Sequence, residues 1–412
     1  MKKIFIADFL PLANKGEEEI IRGIETLYTE KDSKDIEFRV FGNVQTTTQV
    51  GNVKVYPRDI CYPLDAKYVG KRKVLRDIWM AIKGYLGYYP YKYNINSYPG
   101  LLEDIKSCDQ VLIGHDGFFN LRCSLFGLFL ARNMIHYAIL GAGFNRPGKK
   151  IAWIYDHVYK KCFDSADYII LREQTAYNYV KHVSSNKKVL LLPDPAFFCP
   201  NNQYNKQNIL QLCQKYRIDK NHLNIGITIC ENSISFSTAF VNSSNKVIEH
   251  REFIKNLLIA IYKETKCRFY FLPHCIEEGA GNDLKIAHDI VSRLKGAVDC
   301  EIITEDLPVL DIKNIISRMD IMIGERTHSI INSISTETPF VALTCSADFR
   351  THDIVGDGCG LHKYVYNLDN PNLSDIIQAV LLIIKDRTKV LGELRKVCLS
   401  IENKRKQLVQ II

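Results

Sequence analysis

Short apolar segments alternate with helical segments along most of this 412-residue chain. Residues 4–9 form an apolar run that ends in polar residues, and residues 18–27 then carry apolar side chains at helical spacing. Strands that are separated by helices are joined by crossover connections, which place them side by side in a parallel sheet. The alternation therefore predicts an α/β fold.

The alternation occurs in two series, separated by a Pro- and Asn-rich stretch at residues 193–203 that is typical of a linker. The length also exceeds what one hydrophobic core usually organises. We therefore expect two doubly wound, Rossmann-like domains facing across a cleft, at residues 1–198 and 205–372, with helices at 373–412 that cap or cross between them. The predicted strands are 4–9, 36–41, 110–113, 137–140, 168–171 and 189–192, then 223–229, 268–272, 301–304, 321–323 and 340–343. The predicted helices are 18–27, 74–82, 121–135 and 175–180, then 246–263, 283–294, 307–317 and 329–335.

The composition argues against several classes of protein. A formal charge of +8 is mild for this length and is spread along the chain, which does not indicate nucleic-acid binding. The most apolar stretch, 121–143, contains two arginines and a histidine that a lipid-facing span would not tolerate. Thirteen cysteines without a C-x-x-C pair suit buried thiols in a reducing cytoplasm rather than a metal site. We expect a cytoplasmic protein without a metal or cofactor.

The segment 321–328 is the strongest candidate for chemistry. An apolar strand stops at Gly324, and Arg326 and His328 follow immediately before a helix, at the end of a strand where open α/β sheets bind ligands. Arginine offers a fork of donors matched to carboxylate and phosphate, and histidine can transfer a proton near neutral pH. This pair predicts acid–base chemistry on an anion.

Two further loops follow predicted strands in the first half. Asn14, Gly16 and Glu17 lie where strand 1 meets helix 1, and they suit either an ordinary helix cap or a substrate-lining turn. His115 and Asp116 lie between two glycines after another strand, where Asp116 could accept a hydrogen bond from a sugar hydroxyl or simply occupy a tight turn.

Three other residues are weaker candidates. Arg146 follows a glycine-rich strand exit and would add a cation. Arg172 ends a strand and suits either an anion clamp or an ion pair with Glu173. His274 also follows a strand, but a lone histidine is more often a structural hydrogen-bonding residue than a catalytic one.

Residues 71–99 depart from the alternation. They combine a basic amphipathic stretch with a run of six tyrosines. Tyrosine packs in cores, stacks on sugars and sits at membrane interfaces. An ordinary packed insertion and a surface for a membrane-linked saccharide acceptor are both consistent with this segment.

Taken together, the motifs resemble those of the polysaccharide pyruvyl transferase family. The resemblance covers residues 3 to about 360 and depends on the order of several short motifs, of which G-x-R-x-H followed by a helix and a Pro-hydrophobic strand is the most diagnostic. The matching segments are Asn14-Lys15-Gly16-Glu17, Gly114-His115-Asp116-Gly117, Gly141-Ala142-Gly143-Phe144, Arg172-Glu173, Asp194-Pro195-Ala196-Phe197 and Gly324-Glu325-Arg326-Thr327-His328 with Pro339.

The resemblance implies a glycosyltransferase-B-like fold and phosphoenolpyruvate as the donor for a pyruvate ketal on a surface-polysaccharide precursor. Phosphoenolpyruvate carries a carboxylate and a phosphate, which Arg326 and Arg172 could bind, with His274 as a further donor-side residue. His328 would be the general acid, and Asp116 would orient or deprotonate the acceptor hydroxyl. The acceptor-side candidates are Asn14, Gly16, Glu17, His115 and Arg146.

The sequence alone leaves the acceptor and two alternative functions open. The acceptor could be lipid-linked, which would bring the protein to the inner face of the cytoplasmic membrane as a peripheral protein. The same fold also suits a glycosyltransferase or an epimerase that uses nucleotide sugars. A non-catalytic assembly protein of a polysaccharide pathway is the other alternative function.

Overall fold

The computed structural model describes most of the chain, in two compact units. The described residues are 2–10, 13–32, 35–42, 44, 46–56, 71–87, 101–114, 119–144, 152–200, 206–231, 245–276, 282–346 and 348–412. The first unit comprises Met1–Leu12, Ile20–Pro195 and Gln407–Ile412, and the second comprises Ala13–Glu19 and Ala196–Lys406.

The first unit contains an eight-stranded sheet in the order β3-β4-β2-β1-β5-β6-β7-β8, in which only the edge pair β3–β4 is antiparallel. Apart from that edge hairpin, the strands are parallel and follow the doubly wound order, in which successive strands are added first on one side of β1 and then on the other. The strands are β1 (Lys2–Leu10), β2 (Ile36–Gly42), β3 (Thr48–Val50), β4 (Val53–Tyr56), β5 (Gln110–Ile113), β6 (Tyr137–Ala142), β7 (Ile169–Leu171) and β8 (Val189–Leu191). The helices are Lys15–Asp32, whose first residues to Glu19 belong to the second unit, then Lys71–Tyr85, Leu101–Lys106, Leu121–Arg132, Ala152–Ser165 and Gln174–Val183.

The second unit contains a six-stranded parallel sheet in the order β11-β10-β9-β12-β13-β14. Residues in β9, β12 and β13 are buried throughout, as expected for strands covered on both faces. The strands are β9 (Asn224–Thr228), β10 (Arg268–Phe271), β11 (Asp299–Ile302), β12 (Ile321–Gly324), β13 (Phe340–Thr344) and β14 (Val365–Asn367). The α-helices are Lys206–Lys215, Lys246–Thr265, Asp283–Leu294, Val309–Ile316, Thr327–Ser335, Phe349–Thr351, Leu373–Lys385 and Arg387–Ile411, with short non-α turns at Pro195–Phe198, His352–Asp357 and His362–Tyr364.

The predicted α/β fold class with parallel sheets is confirmed, and the strands and helices lie close to their predicted positions. The boundary between the two units falls between Pro195 and Ala196, inside the segment interpreted as a linker. The turn Pro195–Phe198 lies at this boundary, and the side chains of Ala196, Phe197 and Phe198 are buried. Among the described helices, none combines the length and the apolar character needed to cross a membrane.

Candidate functional site

The candidate site lies within the second unit, at the carboxyl ends of three neighbouring strands. Strand β9 pairs with β10 on one side and with β12 on the other, so the connections leave in opposite directions on either side of β9. Ligands bind at such a switch point in open α/β sheets. His274 follows β10, and Arg326 and His328 follow β12.

Arg326 is held in a bidentate ion pair. Its Nε donates to Asp283 Oδ2 at 3.1 Å and its Nη2 donates to Asp283 Oδ1 at 2.6 Å. The same Oδ2 accepts the backbone N–H groups of His274 and Cys275, both at 3.0 Å. Burial opposes the guanidinium charge, but Cys230 and Asp283 outweigh it and raise the pKa of Arg326 above its usual value. The cation is therefore permanent and fixed in orientation.

The backbone that carries Arg326 is anchored by its neighbour Glu325. This carboxylate is fully buried, with Oε1 2.6 Å from His250 Nε2 and Oε2 accepting the Cys230 N–H at 2.8 Å. The Glu325 N–H donates to Thr228 O at 2.8 Å, which extends the pairing of β12 with β9. The loop at the end of β12 is therefore tied to both β9 and the helix Lys246–Thr265.

Gly324 is required where β12 enters this loop. A Cβ at this position would lie 2.6 Å from Thr228 Oγ1 and 2.8 Å from Ser329 Oγ. Those two hydroxyls are hydrogen-bonded at 2.6 Å, and Ser329 also donates to Arg326 O at 2.7 Å. Any side chain here would separate the two hydroxyls and displace the start of the helix Thr327–Ser335.

His328 lies in the first turn of the helix Thr327–Ser335, with its imidazole packed directly on Gly16. A Cβ on Gly16 would lie 2.3 Å from His328 Nδ1 and 2.7 Å from Cγ. Asn14 caps the helix Lys15–Asp32, because its Oδ1 accepts the Gly16 N–H at 3.2 Å while its Nδ2 donates to Glu17 Oε1 at 3.0 Å. The turn that carries Asn14, Gly16 and Glu17 thus caps a helix and also packs against the His328 ring.

His274 is buried and neutral. Its Nδ1 lies 2.9 Å from Leu272 O, so this nitrogen carries the proton and Nε2 carries the lone pair. Nε2 has no hydrogen-bond partner among the described residues. Burial, followed by the nearby charges of Arg326 and Lys15, lowers the pKa of His274 to about 4. The site therefore contains a buried acceptor beside two cations.

Lys15 is the second cation. Its backbone N–H donates to His274 O at 2.8 Å, and its ammonium group lies 2.5 Å from Asp306 Oδ1 and 3.7 Å from Glu18 Oε2. The lysine side chain is almost fully buried. Lys15 therefore joins the capped turn to the loop after β10.

Arg172 does not have the exposed setting of an anion clamp. In the first unit its side chain is 1 % exposed, with Nη1 donating to Asp194 Oδ2 at 2.5 Å and Nε 3.5 Å from Glu173 Oε1. Two buried carboxylates lie against this guanidinium, as the ion-pair alternative expects, and its donor-binding role stays a prediction. His115, Asp116 and Arg146 lie outside the described residues, and their roles stay predictions.

The sequence did not single out Asp283, Lys15, Glu325 or His250. Asp283 looked like an ordinary first-turn acid, and Glu325 and His250 are 75 residues apart. The position of Glu325 between Gly324 and Arg326 was the one available signal. Within the described part of the chain, no group of three or more potential ligand side chains could hold a metal ion.

Similar solved structures define the class of fold. A UDP-GlcNAc 2-epimerase from Neisseria meningitidis bound to UDP-GlcNAc aligns with a TM-score of 0.59 at 13 % identity, covering 100 % of this chain and 99 % of that one. S. aureus MnaA, in a co-structure with UDP, aligns with a TM-score of 0.54 at 14 % identity, covering 100 % and 98 %. Anabaena Alr3699/HepE in complex with UDP aligns with a TM-score of 0.54 at 10 % identity, covering 100 % and 99 %. The fold is thus glycosyltransferase-B-like, as predicted.

The sequence then identifies the family within this fold. The family model for polysaccharide pyruvyl transferase matches residues 14–346, from the capped turn at Asn14 to just beyond β13. The chain therefore belongs to the polysaccharide pyruvyl transferase family, as its motifs predicted. No curated protein matches the sequence.

Proposed function

We propose that this protein transfers the enolpyruvyl group of phosphoenolpyruvate to a sugar diol of a surface-polysaccharide precursor, forming a pyruvate ketal and releasing phosphate. The observation that carries the proposal is the grouping of Arg326, His328 and His274 in one unit, at the switch point of a parallel sheet. Family membership supports the reaction class, while the donor, the ketal and the acceptor are our inference.

Arg326 is the proposed anchor of the donor. The bidentate contact with Asp283 fixes the plane of the guanidinium, so that a donor carboxylate or phosphate meets a cation already in place. The helix Thr327–Ser335 has no side-chain cap at Arg326, and the N–H groups of its first turn favour a negative charge nearby.

His328 is the proposed general acid. Ketal formation begins with a proton delivered to C3 of the donor, which leaves a cationic C2 that the first sugar hydroxyl attacks. Loss of phosphate and attack by the second hydroxyl close the ring. The protons balance across the reaction. One hydroxyl proton restores the proton that the general acid gave to C3, and the other leaves on the phosphate.

His274 suits a different role from the one predicted. Its Nε2 can only accept a hydrogen bond, and its pKa of about 4 keeps it neutral at pH 7. The lone pair on Nε2 would repel the lone pairs of an unprotonated phosphate oxygen, but it would accept a hydrogen bond from a hydroxyl group. We therefore propose that His274 receives a sugar hydroxyl or the protonated form of the leaving phosphate, with Arg326 as the contact for the donor anion.

The test incubates the purified protein with phosphoenolpyruvate and a panel of aryl glycosides and lipid-linked saccharides. Phosphate release that requires the acceptor, together with a pyruvate-sized mass gain on the sugar, is the expected result. Release of a nucleotide from a UDP sugar instead, with thermal protection by that sugar and none by phosphoenolpyruvate, would assign the chain to nucleotide-sugar chemistry. His328→Ala should lower turnover roughly 10²-fold or more.

A further inference from the structure

The helix Lys71–Tyr85 in the first unit presents an apolar face to solvent. Small residues lie on its inner side. Ala81 is fully buried, and a Cβ on Gly84 would lie 2.5 Å from Leu125 Cδ2. On the opposite face, Leu75, Trp79 and Leu86 follow one another at helical spacing and are 66 %, 57 % and 64 % exposed. A surface helix normally has the reverse pattern, with its apolar face inward.

A second exposed aromatic residue extends this face. Trp153 is 65 % exposed, and its ring lies edge-on to Tyr85 at 6.3 Å between centroids. Tyr85 also packs on His157, with ring centroids 4.3 Å apart. Trp153 thus lies beside the helix that carries the exposed leucines and Trp79, and we call Leu75, Trp79, Leu86 and Trp153 the apolar face. Contiguous exposed apolar surface of this kind marks an interaction site.

Cations border the apolar face. Lys83 lies over the Trp79 ring at 5.3 Å from its centroid. Lys160 and Lys161 follow His157 by three and four residues in the helix Ala152–Ser165, which places them one turn from the Tyr85 contact. Burial and these two charges lower the pKa of His157. Lys160 is paired with Asp164 at 2.6 Å, and Lys161 is exposed.

An open cavity of about 540 Å³ lies beside the end of the same helix. Its lining includes Gly87, Leu128, Arg132 and Lys161. Arg132 Nη1 donates to Gly87 O at 3.2 Å, which holds this guanidinium at the end of the apolar face. The cavity therefore adds Arg132 to a border that already contains Lys83 and Lys161, and Asp164, the partner of Lys160, lies in the same lining.

We propose that the apolar face docks on an anionic lipid bilayer, with Trp79, Trp153, Leu75 and Leu86 inserted at the interface and the bordering cations on the lipid phosphates. Tryptophan favours the membrane–water interface, and transfer of an exposed leucine side chain from water into that interface is favourable. Lysine and arginine near the bilayer surface add attraction to anionic lipids. The predicted tyrosine run at 88–98 lies outside the described residues and is not part of this proposal.

The chain contains two tryptophans, Trp79 and Trp153, and both belong to the apolar face. Intrinsic fluorescence of the full-length protein therefore reports this surface directly. Vesicles of phosphatidylglycerol and phosphatidylcholine should shift the emission to the blue and sediment the protein, and brominated phosphatidylcholine in those vesicles should quench it. Binding should weaken between about 0.1 M and 1 M salt, where the Debye length falls from roughly 10 Å to 3 Å.

The matched variants keep both tryptophans as reporters. Leu75→Ser with Leu86→Ser should weaken vesicle binding at least about tenfold, because two leucines lose their apolar transfer energy. Leu210→Ser with Leu399→Ser removes two leucines of similar exposure from the second unit, at 68 % and 66 %, and should leave binding unchanged. Lys83→Gln with Lys161→Gln should weaken binding to phosphatidylglycerol vesicles and flatten the salt dependence.

Three outcomes would overturn the proposal. The first is an unchanged emission spectrum with anionic vesicles, and the second is equal binding by the two leucine double variants. The third is a wild-type protein that does not bind vesicles but sediments as a dimer, and whose dimer dissociates in Leu75→Ser with Leu86→Ser. A second copy of the chain would then cover the apolar face. Binding is read without turnover, so each outcome is independent of the proposed pyruvyl transfer.

Discussion

The contact between Gly16 and His328 gives the sharpest single-residue prediction. Substituting Gly16→Ala places a methyl group 2.3 Å from Nδ1, 2.7 Å from Cγ and 3.0 Å from Cε1 of the imidazole. Ordinary carbon contacts begin near 3.5 Å, so the ring has to move by roughly 1 Å. Because Cγ is the ring atom bonded to Cβ, this movement requires rotation of the side chain about the Cα–Cβ bond.

A displacement of this size has a large effect on a general acid. Misplacing a catalytic group by about 1 Å can cost 10²-fold in rate, so we expect kcat of Gly16→Ala to fall roughly 10²-fold. Arg326 is held by Asp283, so KM for phosphoenolpyruvate should change much less. The assay is phosphate release from phosphoenolpyruvate with the best acceptor of the panel.

Gly392→Ala is the matched control. Gly392 lies in the helix Arg387–Ile411, and a Cβ there would meet no atom within 4 Å. Alanine in a helix interior is favoured over glycine by roughly 0.5–1 kcal/mol, so this variant should be slightly more stable and fully active. Full activity of Gly16→Ala would refute the placement of His328 at the reacting atoms.

Three further predictions concern the groups that surround His328. Arg326→Lys should abolish most of the thermal protection by phosphoenolpyruvate, because an ammonium group cannot replace the fork geometry; protection equal to wild type would contradict this role. Asp283→Asn should lower the free energy of unfolding in urea by roughly 3 kcal/mol because it breaks a buried ion pair, whereas Asp299→Asn, in a surface pair, should cost less than about 1 kcal/mol. His274 has a folded-state pKa of about 4 against 6.5 unfolded, so the unfolded chain takes up its proton first and stability is lost as the pH falls from 6.5 to 4, by up to roughly 3 kcal/mol. His274→Asn should remove this part of the acid dependence, and an unchanged pH profile of unfolding would show that His274 is not buried and neutral.

The order of elements could be predicted because parallel strands and helices have distinct apolar periods. The helix Ala152–Ser165 is not among the predicted helices, although its buried residues follow helical spacing; the exposed Trp153 adds an apolar residue outside that face. Strand β14, with three half-buried or exposed residues, has no alternating pattern to detect. The hairpin β3–β4 was missed for a similar reason, because β3 is mostly exposed at a sheet edge.

The site was predictable only in its strand-end residues. Arg326 and His328 follow an apolar strand, which the sequence displays directly. Arg172 also follows a strand, but its side chain is buried against Asp194, which lies 22 residues further along the chain. Partners that are distant in sequence, such as Asp283 for Arg326, cannot be read from a local pattern.

The central claim is that His328 protonates the enol carbon of a donor held by Arg326. The most direct measurement runs the reaction in D2O with wild-type protein and analyses the product sugar by mass spectrometry and NMR. We predict a ketal whose methyl group carries one solvent deuterium, one phosphate released for each ketal formed, and formation of both products roughly 10²-fold more slowly in His328→Ala. A product without deuterium in the methyl group, or an equal yield from His328→Ala, would contradict the account.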